Sequence, residues 1–309
     1  MTSIKKKLFM ATSLFMTSTY GLVDYTEKEA FVPQASGAAS VTKKAPTPRT
    51  VTRPKKSNGQ SGPVGISVGT SYGLHDVEVG QASGKVDILG IDAHFQTHYN
   101  IFMNVSYYQA KSSNPQLVTD NTSFQEGNPE VILGFNWLQF GKKAELATID
   151  LYGGLSVGQK NSSFATERTD KIVGVSTAKR FYSFALGIGY EHRLTGTGGS
   201  EEMIIGDITK LSASLGWVVS KDIRFLIEGT TLNIREGENN FIQSFLDEKV
   251  TFGSIKPQLQ LRVGRSIDFT LGAQFRTKRI SREELTLARF WSLDGAYGNS
   301  VFSGLSFSI

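Results

Sequence analysis

The chain has 309 residues, enough for one large or two ordinary domains, and a net charge of +5, much of it carried by the N-terminal 60 residues. With no Cys it has no disulfide framework, no lipoprotein anchor and no thiolate metal site. It has 32 Gly, 20 Phe and 10 Tyr, no runs of Ala, Leu and Glu, and no stretch near the ~20 apolar residues of a transmembrane helix; this composition indicates an all-β protein.

Residues 1–21 read as an export signal. Lys5, Lys6 and Lys7 are a positive start, Leu8 to Met16 a short apolar stretch, and Thr19 and Gly21 small residues spaced for signal-peptidase cleavage. Residues 22–63 read as a disordered basic arm. Five of the 8 prolines fall there (Pro33, Pro46, Pro48, Pro54, Pro63), with Lys43, Lys44, Arg49, Arg53, Lys55 and Lys56 among them. Such a segment cannot bury enough apolar surface to offset its ordering entropy. It is either a solvated linker or a tether to peptidoglycan, anionic lipid or a periplasmic protein.

From residue 64 to 309 the chain repeats a period of two, the signature of strands with one apolar and one polar face. Val64, Ile66 and Val68 open the first. Ile91, Ala93 and Phe95 follow, then Ile101, Met103 and Val105, then Val131, Leu133, Phe135 and Trp137. Ile149, Leu151 and Leu155 lead to Phe184, Leu186 and Ile188, with Tyr182 placed at the start of that strand. Leu211, Leu215 and Trp217 precede Ile223, Phe225 and Ile227. Ile255, Leu259 and Leu261 precede Ile267, Phe269 and Leu271, and Val301, Leu305 and Phe307 close the chain.

Eleven strands are legible, each spanning ~9–14 residues, long for a globular strand of ~5–6 and suited to a tilted bilayer crossing. Turns after residues 140, 219 and 264 are tight, while residues 111–128, 158–178, 234–249 and 277–297 read as long polar loops. Closed bacterial barrels have an even strand number. A further strand is therefore expected within 171–177, 203–209 or 280–294, the last marked by Leu285, Leu287 and Phe290. The expected fold is a closed antiparallel up-and-down transmembrane β-barrel of about twelve strands, with ten and fourteen as bounds. Alternation alone does not orient the faces, so a soluble all-β barrel stays open. Tyr72, Tyr99, Tyr107, Trp137, Phe140, Tyr182 and Tyr190 lie where interfacial aromatic girdles would be.

The export signal, the absence of Cys, the amphipathic strands, the two loop sizes and the terminal strand together resemble a Gram-negative outer-membrane β-barrel protein. Gly127 to Leu138, GNPEVILGFNWL, resembles a strand of transporter-like outer-membrane barrels. The resemblance implies contact with outer-membrane lipid and recognition of the C-terminal strand by the barrel-assembly machinery. The ending Phe307-Ser308-Ile309 departs from the terminal Phe or Trp of such barrels, although Phe307 sits on the apolar face.

No catalytic, metal or cofactor site is expected. His94 and His98 share a strand face with Asp92 but stand ~13 Å apart at ~3.3 Å per residue. A Ser183, Glu191 and His192 triad fails because neighbours on a strand face opposite ways. The informative set is polar: Lys210, Arg224, Lys256, Gln258, Gln260, Arg262, Gln274 and Arg276 would line the lumen, partly offset by Asp150, Glu228 and Asp268. A net-positive wet wall suits a passive channel for small polar or anionic solutes. Alternatives are a structural or interaction barrel with a plugged lumen whose loops or arm bind a partner, and a membrane hydrolase. Gly65, Gly69, Gly73, Gly187 and Gly189 would either leave space or receive bulky neighbours. Nothing in the chain points to nucleic acid.

Overall fold

Period-two alternation becomes strand wherever one face can be given to each side of a sheet. The computed structural model describes residues 64–79, 82–97, 99–112, 114, 123–141, 145–196, 206–235, 250–277, 293, 295 and 298–308. Its strands are β1 (Val64–Val79), β2 (Ala82–Thr97), β3 (Ile101–Ser112), the two-residue fragment β4 (Gln125–Glu126), β5 (Glu130–Phe140), β6 (Ala147–Ser156) and β7 (Asp170–Phe181). They continue as β8 (Phe184–Leu194), β9 (Ile208–Val218), β10 (Ile223–Ile234), β11 (Val250–Arg262), β12 (Ile267–Arg276) and β13 (Gly298–Ser308). The expected export signal and basic arm, His98, residues 280–292 and Ile309 lie outside the described residues.

Each long strand runs antiparallel to both neighbours. β1 pairs with β13 as well as β2, and β2 pairs with β3, so the twelve long strands close into a barrel with no free edge. β4 adds only Gln109↔Glu126 and Ala110↔Gln125 to the flank of β3.

The strand that sequence reading left unplaced is β7. Residues 170–181 are paired on both sides, so the expected 158–178 loop is corrected to a loop ending before Asp170. With β7 in place, the chain crossings at 99–100, 141–146, 182–183, 219–222 and 263–266 all fall at one end, together with the start of β1 and the end of β13. Tyr182 is corrected as well: it belongs to a two-residue turn closed by the Phe181↔Phe184 pair, with φ 53°.

The orientation of the faces is decided by what each one holds. Val131, Leu133, Phe135, Trp137, Leu186, Ile188, Leu211, Leu215, Ile255, Leu271 and Val301 are exposed on the outer surface. Glu130, Ser156, Ser176, Glu191, Arg193, Glu228, Lys256, Gln258 and Gln274 are buried on the inner one. A barrel with an apolar exterior and a polar interior is built for lipid outside and water inside. Around the short-turn end Tyr99, Trp137, Phe140, Phe181 and Tyr182 stand outward, and Phe184 stacks on Trp217 with ring centroids 5.7 Å apart. Amphipathic rings at that level suit the membrane interface.

Pro257 interrupts one seam. It sits opposite Ile227 on β10, but the β11–β12 register skips from Ile255↔Phe275 to Gln258↔Gly272. A proline has no N–H to give to the ladder, so the break falls on its β12 side.

Candidate functional site

The interior is divided by charge, and the register explains how. On β9–β12 the inward positions carry five cations, Lys210, Arg224, Lys256, Arg262 and Arg276, against two carboxylates, Glu228 and Asp268. Arg224 lies beside Gln260 and Gln260 beside Thr270; Glu228 lies beside Lys256; Ser254 lies beside Arg276. Seven of the eight lumen candidates thus gather on the consecutive strands β10, β11 and β12. Lys210 joins from β9, next to Leu232 and Glu191. Lys256, Gln258 and Gln274 are buried, and the other five are partly exposed.

Individual contacts hold this wall. Lys256 Nζ stands 5.0 Å from the centroid of the Phe302 ring, a cation–π contact that fixes the ammonium near the wall. Arg262 Nε donates to Asp268 Oδ1 at 3.3 Å.

Large rings are kept flat against the barrel by glycines on the adjoining strand. Phe102 lies over Gly134, Tyr152 over Gly174 and Phe302 over Gly272, each in direct register. A Cβ on Gly174 would come 2.2 Å from Tyr152 Cζ. These are not the glycines singled out in the sequence, and their function is to receive bulk rather than to leave space. Gly174→Ala should cost the folded barrel about 1–3 kcal/mol through overpacking. Urea unfolding checks this, and the cost should shrink when Tyr152→Ala is added, because the two residues share one contact.

The adjoining arc, β5 to β8, carries carboxylates and the cations that answer them. Arg193 on β8 donates from Nη2 to Glu130 Oε2 on β5 at 2.8 Å and lies 3.6 Å from Glu191 Oε1. The Tyr152 hydroxyl donates to Glu191 Oε2 at 3.4 Å. Arg168 Nε donates to Asp170 Oδ1 at 3.0 Å, and the backbone N–H of Gly196 donates to the same oxygen. Nearer the short-turn end Asn136 Nδ2 donates to Asp150 Oδ1 at 2.6 Å, and beyond this arc His94 on β2 hydrogen-bonds Asn104 on β3.

The segment between β6 and β7 packs against the end of β3, β4 and the chain that leads into β5. Phe164 and Ala165 are fully buried and Arg168 is 2% exposed. The inward hydroxyl of Tyr108 donates to the Phe164 carbonyl at 2.7 Å. Asn128 bonds Thr166 twice, through Nδ2 to Oγ1 at 2.6 Å and through Oδ1 from the Thr166 N–H at 2.9 Å. Ser162 donates to the Glu126 carbonyl, and the Ser163 N–H to Gln125 Oε1.

Sequence reading missed this network. Glu191 and Arg193 alternate on one face and were legible as inward, but the partner Glu130 is 63 residues away and no local spacing signals it. The Ser183, Glu191 and His192 set is not brought together: Ser183 is in a turn, Glu191 is inward and bound to Arg193, and His192 stands outward 3.5 Å from Asp207.

No protein-family model and no curated protein matches the sequence. Among solved structures, the chain is similar to an outer membrane channel from Pseudomonas putida, at 8% identity over 80% of this chain and 96% of that one, with a TM-score of 0.56. It also aligns with the NanC porin, at 11% identity over 79% of this chain and 100% of that one, TM-score 0.48. The KdgM porin in complex with disordered oligogalacturonate aligns at 8% identity over 79% and 99%, TM-score 0.47. At these identities the likeness with the first is one of fold.

Proposed function

We propose that the protein is a passive channel of the Gram-negative outer membrane for small polar or anionic solutes, and not an enzyme. The observation that carries this reading is the inward cationic wall of Lys210, Arg224, Lys256, Arg262 and Arg276, set in a barrel whose outer face is apolar. Glutamine side chains at Gln258, Gln260 and Gln274 add donors and acceptors able to replace water around a polar solute. The short-turn end, which also holds the start of β1, faces the periplasm, as in barrels with short periplasmic turns. The basic segment 22–63 then lies in the periplasm, where peptidoglycan or a periplasmic protein is its natural contact. The C-terminal strand presents Phe307 outward to the barrel-assembly machinery.

The test is conductance of the refolded mature chain in a planar lipid bilayer. Discrete steps with anion preference are expected. Lys256→Ser with Arg262→Ser should lower the anion-to-cation permeability ratio about threefold, the effect of changing the local potential by about half a kT. An unchanged ratio removes these two residues as determinants of selectivity. A folded, inserted barrel that passes no current favours the second reading, a plugged interaction barrel. The inward-packed β6–β7 segment, with Phe164 and Ala165 at 0% exposure, is the observation on its side.

A further inference from the structure

Two adjoining arcs of the interior wall, β5–β8 and β9–β12, carry unequal charge. On β9–β12 cations outnumber carboxylates, whereas Glu130 and Glu191 on the adjoining arc both pair with one guanidinium. That guanidinium belongs to Arg193, whose side chain is 7% exposed, as is that of Glu191, with Glu130 at 10%. Glu191 is also in register with Lys210, so the masked carboxylates adjoin the first residue of the cationic wall. Charges this poorly solvated act on the lumen with little screening by water of their own.

We propose that Arg193 is a specificity-determining residue of the pore: by pairing with Glu130 across two intervening strands and with Glu191 on its own strand, it offsets one of their two negative charges and lets the cationic wall of β9–β12 set the sign of the lumen. The inference rests on the channel reading. Arg193 acts through the two carboxylates and not by touching solute, so it is a positioning and masking residue. Removing it leaves two negative charges beside Lys210; removing the carboxylates leaves one positive charge. The two changes must therefore move selectivity in opposite directions, which a loss of packing alone would not do.

Reversal potentials in a potassium chloride gradient test this on the full mature chain in planar bilayers. Arg193→Met should lower the anion-to-cation permeability ratio by about threefold or more, and Glu130→Gln with Glu191→Gln should raise it, each by about half a kT of local potential or more. The shifts should shrink between 0.1 M and 1 M salt, as the Debye length falls from about 10 Å to about 3 Å. Arg193→Lys, which keeps the charge, should hold the wild-type ratio. Folding is checked by heat-modifiable migration on gels; if Arg193→Met does not fold, the single Glu130→Gln, which keeps an acceptor for Arg193, should still raise the ratio, by less than the double because it removes one negative charge instead of two. Conducting variants that all retain the wild-type ratio overturn the inference and leave the channel reading standing. A wild type that passes no current overturns both.

Discussion

Ile188→Arg should destabilise the folded barrel in lipid vesicles by about 2–4 kcal/mol, the cost of a cation on the lipid face near mid-bilayer. Ile188 is 63% exposed at the middle of β8, between the outward Leu186 and Tyr190. It lies in register with Thr177 on β7 and Ala213 on β9, so no acidic neighbour awaits the guanidinium. In water, the same change at so exposed a site would move stability by no more than about 0.5 kcal/mol. Equilibrium urea unfolding in vesicles separates the two situations. Equal stability of the variant and the parent chain would mean that the apolar face does not meet lipid.

Arg193→Met should cost about 3–5 kcal/mol, because it removes the guanidinium that pairs with two buried carboxylates. Replacing all three charges, as Glu130→Gln, Arg193→Met and Glu191→Gln, should return stability to near the parent value, since neutral groups carry no such desolvation penalty. The expected pattern is therefore non-additive: the single change is worse than the triple. Urea unfolding of the three proteins checks it. A single change that costs less than about 0.5 kcal/mol would show that lumen water solvates Glu130 and Glu191 well enough to stand in for Arg193.

Much of the barrel was legible because lipid and water impose opposite demands on alternate residues. Lys256-Pro257-Gln258-Leu259-Gln260-Leu261-Arg262 displays that alternation directly, and its inward set is the one the register assembles with Arg224 and Arg276. β7 was hidden because its alternation is weak: Val173 and Val175 point outward, but Ile172 and Ala178 are apolar and inward, and Lys171 is outward and charged. The first half of β2 was hidden for the same reason, since Val86 and Ile88 are buried inside while Leu89 and Ile91 face out. Where both faces carry apolar side chains, period two disappears from the sequence although the strand remains.

The sequence by itself determined the all-β class, the polar and apolar faces and the residues of the cationic wall, because each of these depends on local alternation. Tertiary structure alone decided three things. It put lipid outside and water inside, because only a closed sheet defines an interior. It set Phe102, Tyr152 and Phe302 over Gly134, Gly174 and Gly272, because those contacts depend on register between strands. It brought Arg193 to Glu130 and the β6–β7 segment onto Tyr108 and Asn128, because charges and hydrogen-bonding groups buried together must find partners wherever the fold places them.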